Sequence, residues 1–158
     1  MPDPEATGVL GERLAQLLRP GDLVVLTGEL GAGKTTLTQG VGRGLGVRGP
    51  VTSPTFVIAR VHPSLVGGPD LVHVDAYRLD GAVELDDLDL DADLDDAVIV
   101  VEWGAGLVER MSPDRLEVLL SGRSRRTARI VGTGPRWSDP AAAAALAAVS
   151  TPALRHVP

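Results

Sequence analysis

The chain has 158 residues, 44% of them hydrophobic and 23% charged, which fits one globular domain. Cys is absent, excluding disulfides, thiol redox chemistry and cysteine metal sites, and a formal charge of −6 argues against a broad electrostatic grip on nucleic acid. Met1 to Leu10 has no apolar signal core, and the longest apolar run, Ala141 to Val149, falls short of the roughly 18 residues of a membrane span, so a cytoplasmic protein off the membrane is expected.

In chain order, Thr7 is placed to cap a helix whose Leu10, Leu14, Leu17 and Leu18 follow helical spacing, and Pro20-Gly21 ends it. Leu23 to Leu26 is a continuous apolar run of the kind found in a buried parallel strand. A glycine-rich turn from Gly28 to Gly33 leads into a helix over Lys34 to Leu45, with Gly40, Gly42 and Gly44 each weakening it by roughly 1 kcal/mol against Ala. Gly49 to Pro54 is loop. Thr55 to Val61 and Leu71 to Ala76 alternate as strands and are joined by too short a turn for a crossover helix, so they read as an antiparallel hairpin. Ala82 to Asp96 is acidic and spaced for one or two short helices. Ala97 to Val101 is another buried-type strand, Leu107 to Met111 a helical turn, and Leu116 to Leu120 with Thr127 to Val131 a closing pair of strands. Asp139-Pro140 opens an alanine-rich helix. The pattern predicts an α/β fold with antiparallel edges, organised as a unit over 1–135 and an alanine-rich helical appendage over 136–158.

Gly28-Glu29-Leu30-Gly31-Ala32-Gly33-Lys34-Thr35 matches G-x-x-x-x-G-K-[ST], with a buried strand before it and a helix after it. Glycines let the backbone fold round an anion and turn successive N–H groups inward, and the helix N-terminus adds partial positive charge. Glu29, Leu30, Gly31, Ala32, Gly33, Lys34, Thr35 and Thr36 are the expected nucleotide contacts. Lys34 would reach the β- and γ-phosphates and the Thr35 hydroxyl would ligate Mg²⁺. The chain has 15 Lys+Arg, yet Lys34 is the single Lys, and Asn is absent. The guanine-reading N-K-x-D motif therefore cannot be built, and ATP is expected. No G-x-G-x-x-G follows the first strand, so a dinucleotide site is not expected.

Such a loop needs an acidic residue at the end of a neighbouring strand to hold Mg²⁺. Asp75 ends one expected strand and Glu102 another. Asp75 would serve the metal; Glu102 would orient or deprotonate the attacking water or assist the metal, and the sequence does not divide these roles. Lys34, Asp75 and Glu102 form the expected catalytic set, with Thr35, Asp75 and Glu102 on the metal. Ser53, Pro54 and Thr55 lie where a loop could sense the γ-phosphate, with an ordinary Ser-Pro turn as the lesser reading. Phe56, Tyr77 and Trp103 are three of the four aromatics and fall in these segments. Core filling is an equal reading for them, while Trp103 could shield the nucleotide. Arg78 could touch a phosphate or sit in a surface ion pair, and Arg43 is a weaker candidate.

Other features carry less. The run Asp86, Asp87, Asp89, Asp91, Asp93, Asp95, Asp96 fails the EF-hand pattern, since position 6 would be Asp96, and reads as a solvated helix face. Arg123, Arg125, Arg126 and Arg129 form a basic patch that reads first as surface charge and second as a contact for RNA or an acidic partner. His62, His73 and His156 are too scattered for zinc. His73 shares a strand face with Asp75, which allows a supporting role, although a packed histidine is the ordinary reading.

Taken together, Gly28 to Thr36, Ser53-Pro54-Thr55-Phe56, His73-Val74-Asp75-Ala76-Tyr77-Arg78-Leu79 and Val101-Glu102-Trp103 resemble the TsaE (YjeE) family in order and spacing, over roughly Thr7 to Val131. The phosphate loop alone indicates only an NTPase; the H-x-D-x-Y-R-L and V-E-W segments make the resemblance specific. It implies a P-loop NTPase fold with a central parallel sheet, antiparallel edge strands and flanking helices. It also implies ATP and Mg²⁺ binding, slow ATP hydrolysis, and an accessory role in threonylcarbamoyladenosine (t6A) modification of tRNA. TsaD and TsaB would be the protein partners, with tRNA contacted weakly or indirectly and no membrane involved. Carried over by position, Lys34 binds phosphate, Thr35 and Asp75 serve Mg²⁺, Glu102 serves the metal or water, and Ser53 to Thr55 is the switch-like loop. Two rivals share the phosphate loop: a kinase of a small metabolite and a non-catalytic nucleotide-dependent switch.

Overall fold

The computed structural model describes residues 4–29, 31–49, 51, 59–75, 96–102, 114–122 and 127–150. Helix α1 (Pro4–Ala15) precedes β1 (Leu23–Gly28), α2 (Lys34–Leu45), β2 (Ala59–His62), β3 (Asp70–Asp75), β4 (Ala97–Glu102), β5 (Arg115–Ser121) and β6 (Thr127–Thr133). Two further helices follow, α3 (Pro135–Ser138) and α4 (Pro140–Ser150).

The strands form one sheet in the order β2-β3-β4-β1-β5-β6. The four inner strands are parallel, and β2 and β6 pair antiparallel at the two edges. This is the α/β architecture expected from the sequence. The apolar runs are central for a physical reason. A parallel strand covered on both faces has no solvent side, so it needs no polar alternation. Every residue of β4 is buried, as are Leu23, Val24, Val25 and Leu26 of β1. The alternating edge strands each keep an exposed side, as in the pattern of β6.

One sheet face carries Val24, Leu26, Leu71, Val98, Val100, Leu116, Val118 and Leu120 into a core with Leu14 and Leu18 from the α1 region and Leu37, Val41 and Leu45 from α2. Trp137 and Leu146, from the alanine-rich C-terminal part, belong to this same core. The other face presents Leu23, Val25, Val72, Val74, Ile99 and Val101, equally buried.

Two points of local structure differ from the expectation, and one agrees with it. Thr7 is not a cap: α1 begins at Pro4, where a missing N–H costs nothing, and Thr7 is fully buried inside the helix. The one-turn helix α3 was not expected. Asp139 does cap the last helix, its Oδ2 accepting from Ala142 N at 3.2 Å. The helices expected over 82–96 and 107–111 lie outside the described residues, apart from Asp96 at the start of the turn into β4.

The glycines of α2 weaken the helix but allow its packing. A Cβ on Gly40 would strike the carbonyl of Gly8, and one on Gly11 would strike the carbonyl of Leu37. Helices α1 and α2 therefore meet backbone to backbone, closer than any side chain allows. The helix stops at Gly46, in the left-handed region at φ 73°, whose N–H reaches Gly42 O at 3.0 Å. No helix among the described residues is long and apolar enough to cross a membrane.

Candidate functional site

The strand-to-helix turn lies at the C-terminal end of β1, the central parallel strand. Ligands of open α/β sheets bind beyond the carboxyl ends of the strands, where crossovers run to opposite sides. Here the chain passes from β1 through α2 to β3 on one side of β1, and later from β4 to β5 on the other.

Gly31 and Gly33 hold φ of 82° and 107°, in the left-handed region that side chains resist. Gly33 occupies the N-cap of α2, and no acidic side chain stands in the first turn. The helix start thus carries no side-chain cap bond and no acidic residue of its own, which suits anion binding at its N–H groups. Ala32 is buried and its N–H reaches Glu29 O at 3.0 Å, closing the turn. Lys34 is only 6% exposed. Its Nζ donates to Gly28 O at 2.8 Å and Glu29 O at 2.9 Å, so the ammonium lies over the loop it belongs to. Thr38 anchors the first turn of α2, its Oγ1 donating to Lys34 O at 2.9 Å.

The acidic partner arrives from β4. Leu26 of β1 is in register with Glu102, and Asp75 of β3 is in register with Glu102 from the other side. β3 and β4 thus end level with one another, and β1 runs two residues further to Gly28. Glu102 is 4% exposed. Its Oε1 accepts from Thr35 Oγ1 at 3.5 Å, which joins the phosphate loop to β4. Its Oε2 lies 2.8 Å from His73 Nε2, and His73 is fully buried. A carboxylate oxygen accepts, so these partners assign the imidazole hydrogen to Nε2. The packed reading of His73 understates its place: the ring is buried and bonded to the candidate acid. The period-2 alternation with Asp75 set His73 on the strand face of the candidate site, but its bond to Glu102 comes from the pairing of β3 with β4.

Among the described residues His62 is the other buried histidine, at the opposite end of the β2–β3 pairing and in register with Leu71. Desolvation by burial pushes its pKa below the ordinary 6.5; the charges of His73 and Arg60 push the same way, against a hydrogen bond to the Arg48 backbone. Arg43 is turned away from the phosphate loop, bonded to Glu12 on α1 at 2.8 Å. Leu30, Ser53, Pro54, Thr55, Phe56, Tyr77, Arg78 and Trp103 lie outside the described residues, and so do Arg123, Arg125 and Arg126. Of the expected site, the structure brings together Lys34, Thr35 and Glu102, with Asp75 in register beside them.

A family model described as "Threonylcarbamoyl adenosine biosynthesis protein TsaE" matches residues 1–130, which include the phosphate loop, His73, Asp75 and Glu102. The chain belongs to the TsaE family. It is 63% identical over 136 residues to the Streptomyces coelicolor tRNA threonylcarbamoyladenosine biosynthesis protein TsaE, covering 82% of this chain and 92% of that protein. The Mycobacterium tuberculosis TsaE is 53% identical over 137 residues, 82% of each chain. The Bacillus subtilis TsaE is 36% identical over 138 residues, 85% of each. In three dimensions the chain is similar to the crystal structure of Bacillus subtilis YdiB, with a TM-score of 0.71 at 30% identity over 94% of this chain and 89% of that one. The TsaE family match ends inside β6, so α3 and α4 lie beyond it.

Proposed function

We propose that this TsaE-family chain binds ATP with Mg²⁺ at the phosphate loop and hydrolyses it slowly, supporting t6A formation on tRNA as an accessory to TsaD and TsaB. The observation that carries this reading is the contact between Thr35 and Glu102. It links the phosphate loop to a buried carboxylate on the adjacent parallel strand, where a γ-phosphate and its metal would lie.

The donor set suits Mg²⁺. The Thr35 hydroxyl at the start of α2, and the carboxylates of Glu102 and, by register, Asp75 at the ends of adjoining strands, are hard oxygen donors by residue type. Among the described residues no group of three or more His, Cys, Asp or Glu could cage a metal. A Mg²⁺ held by one or two protein oxygens, phosphates and water needs no such cage. When bound, the ion would neutralise charge on the phosphates. The protein's own work is positional: Lys34 and the N–H groups of α2 hold the phosphates, and Glu102 orients the attacking water. ATP is favoured over GTP because no Asn and no second Lys exist to build a guanine reader.

Slow turnover is part of the same reading. Arg43 is engaged with Glu12 on α1, so it is not offered to the phosphates as an arginine finger. A missing arginine finger costs about 10³–10⁵ in rate in such enzymes, so stimulation by a protein partner is expected. The test is ATP turnover by the purified chain with and without TsaD and TsaB. A higher rate with the partners supports the reading; equal rates remove partner activation. Lys34→Ala is the control, expected to weaken ATP binding by about 10- to 100-fold through loss of charge-assisted phosphate contacts. Unchanged affinity would discredit the nucleotide site itself. A phosphorylated small molecule among the products would point to a kinase instead.

A further inference from the structure

We propose that His73 is a positioning residue for Glu102, its Nε2–H fixing one carboxylate oxygen so that the other stays at the phosphate loop. This rests on the reading of Glu102 as the residue that orients the attacking water. Glu102 ends β4, and a glutamate at a strand terminus has several side-chain torsions to settle. Its bond to Thr35, at 3.5 Å, is too long to fix the carboxylate. The 2.8 Å bond to His73 is short and buried on both sides. The sheet makes that bond possible. In the parallel pairing of β3 with β4, Asp75 lies opposite Glu102 and His73 opposite Val100, so His73 approaches Glu102 on the diagonal from within the core.

Packing alone does not account for this residue. The ring has no exposed surface, and its Nδ1 is buried without a hydrogen-bond partner among the described residues. An aliphatic or phenyl side chain would fill the same space without that desolvation cost. What only histidine supplies here is a donor on a rigid two-torsion ring, aimed at one oxygen of Glu102. Functional side chains keep their geometry when a supporting group holds them, and loss of such support commonly costs activity without touching the binding contacts.

The test compares His73→Gln, His73→Asn and His73→Phe with the unaltered chain in ATP hydrolysis, with TsaD and TsaB present, and in equilibrium ATP binding. Gln can carry an amide N–H close to the position of the imidazole Nε2; Asn falls short of it, and Phe fills the space without a donor. The expected result is a kcat lowered by about 10- to 100-fold in His73→Asn and His73→Phe, with KM and ATP affinity unchanged within about threefold. His73→Gln is expected to recover most of that loss. In the Glu102→Gln background, His73→Phe is expected to lower the rate no further, because the carboxylate it positions is gone. The proposal is overturned if Asn and Gln hydrolyse ATP equally well. It is also overturned if kcat and ATP affinity fall together, which would mark a general structural defect, or if the two substitutions add. Should His73→Phe fail to fold, the Asn and Gln pair still decides. Normal hydrolysis by Glu102→Gln would remove the underlying reading of Glu102. Loss of hydrolysis there beside full activity in His73→Asn would remove only the role of His73.

Discussion

Lys34 is the one lysine of the chain, and its ammonium lies on two carbonyls of the turn it follows. A compact ammonium on a flexible stem can exchange these carbonyls for phosphate oxygens, which a planar guanidinium does less well. The two buried histidines differ in what they do. His73 is bonded to Glu102, whereas His62 lies at the far end of the β2–β3 pairing and titrates below the ordinary 6.5 because burial disfavours its charged form. A depressed histidine pKa means that the unfolded chain binds the proton more readily. The stability His62 contributes is therefore complete above pH 6.5 and is lost as pH falls from there through the folded value. The thermal midpoint of the unaltered chain should drop more steeply between about pH 7 and pH 5 than that of His62→Gln; parallel curves would contradict this. At this scale the sequence was informative about Lys34, Thr35, Asp75 and Glu102, because each has a motif or a strand end to identify it. The His73–Glu102 bond was not legible, because a contact between residues 29 apart in sequence depends on strand order and register. Neither can be read from alternation within one strand.

The α1–α2 pair shows how an element can carry a sequence signal that looks unfavourable. Gly40, Gly42 and Gly44 lower helix propensity, yet Gly40 meets the Gly8 carbonyl and Gly44 lies against Glu12 and Ala15. Gly40→Ala should gain roughly 1 kcal/mol of helix propensity and lose more to overpacking against backbone that cannot give way, for a net destabilisation of about 1–2 kcal/mol in urea unfolding. A stabilised variant would show that the helices can separate without cost. The limits of α2 were legible because Gly33 and Gly46 punctuate both ends. The edge hairpins were legible because alternation and short connections leave little choice. The start of α1 was misread, because a threonine before an apolar pattern looks like a cap whether it lies at the end of a helix or inside it.

Across the whole molecule, Arg136 ties the C-terminal part to the turn into β1, beside the core packing of Trp137 and Leu146. Arg136 donates to both oxygens of Asp22 at 3.1 Å and to Leu17 O at 2.7 Å, with its guanidinium carbon 4.0 Å from the ring centroid of Trp137. Asp22 also accepts from Arg19 N at 2.9 Å, so the turn into β1 is built round this pair. Arg136→Met would leave Asp22 buried without its partner, and a loss of about 3 kcal/mol in urea unfolding is expected, the low end for breaking a buried ion pair. A change below about 0.5 kcal/mol would mean the pair is as weak as a surface one. This anchoring was illegible in an alanine-rich tail, because its two core residues, Trp137 and Leu146, lack a periodic apolar pattern round them. The sheet order, by contrast, sets the site, bringing the C-terminal ends of β1, β3 and β4 side by side so that Thr35 and Glu102 meet. Whether that meeting point hydrolyses ATP is tested most directly by single-turnover hydrolysis of ATP with Mg²⁺ bound to the Glu102→Gln chain. The expected result is binding within about threefold of the unaltered chain and hydrolysis slower by about 10²- to 10⁴-fold, the range for a lost general base. Bound ATP hydrolysed at the unaltered rate would contradict it.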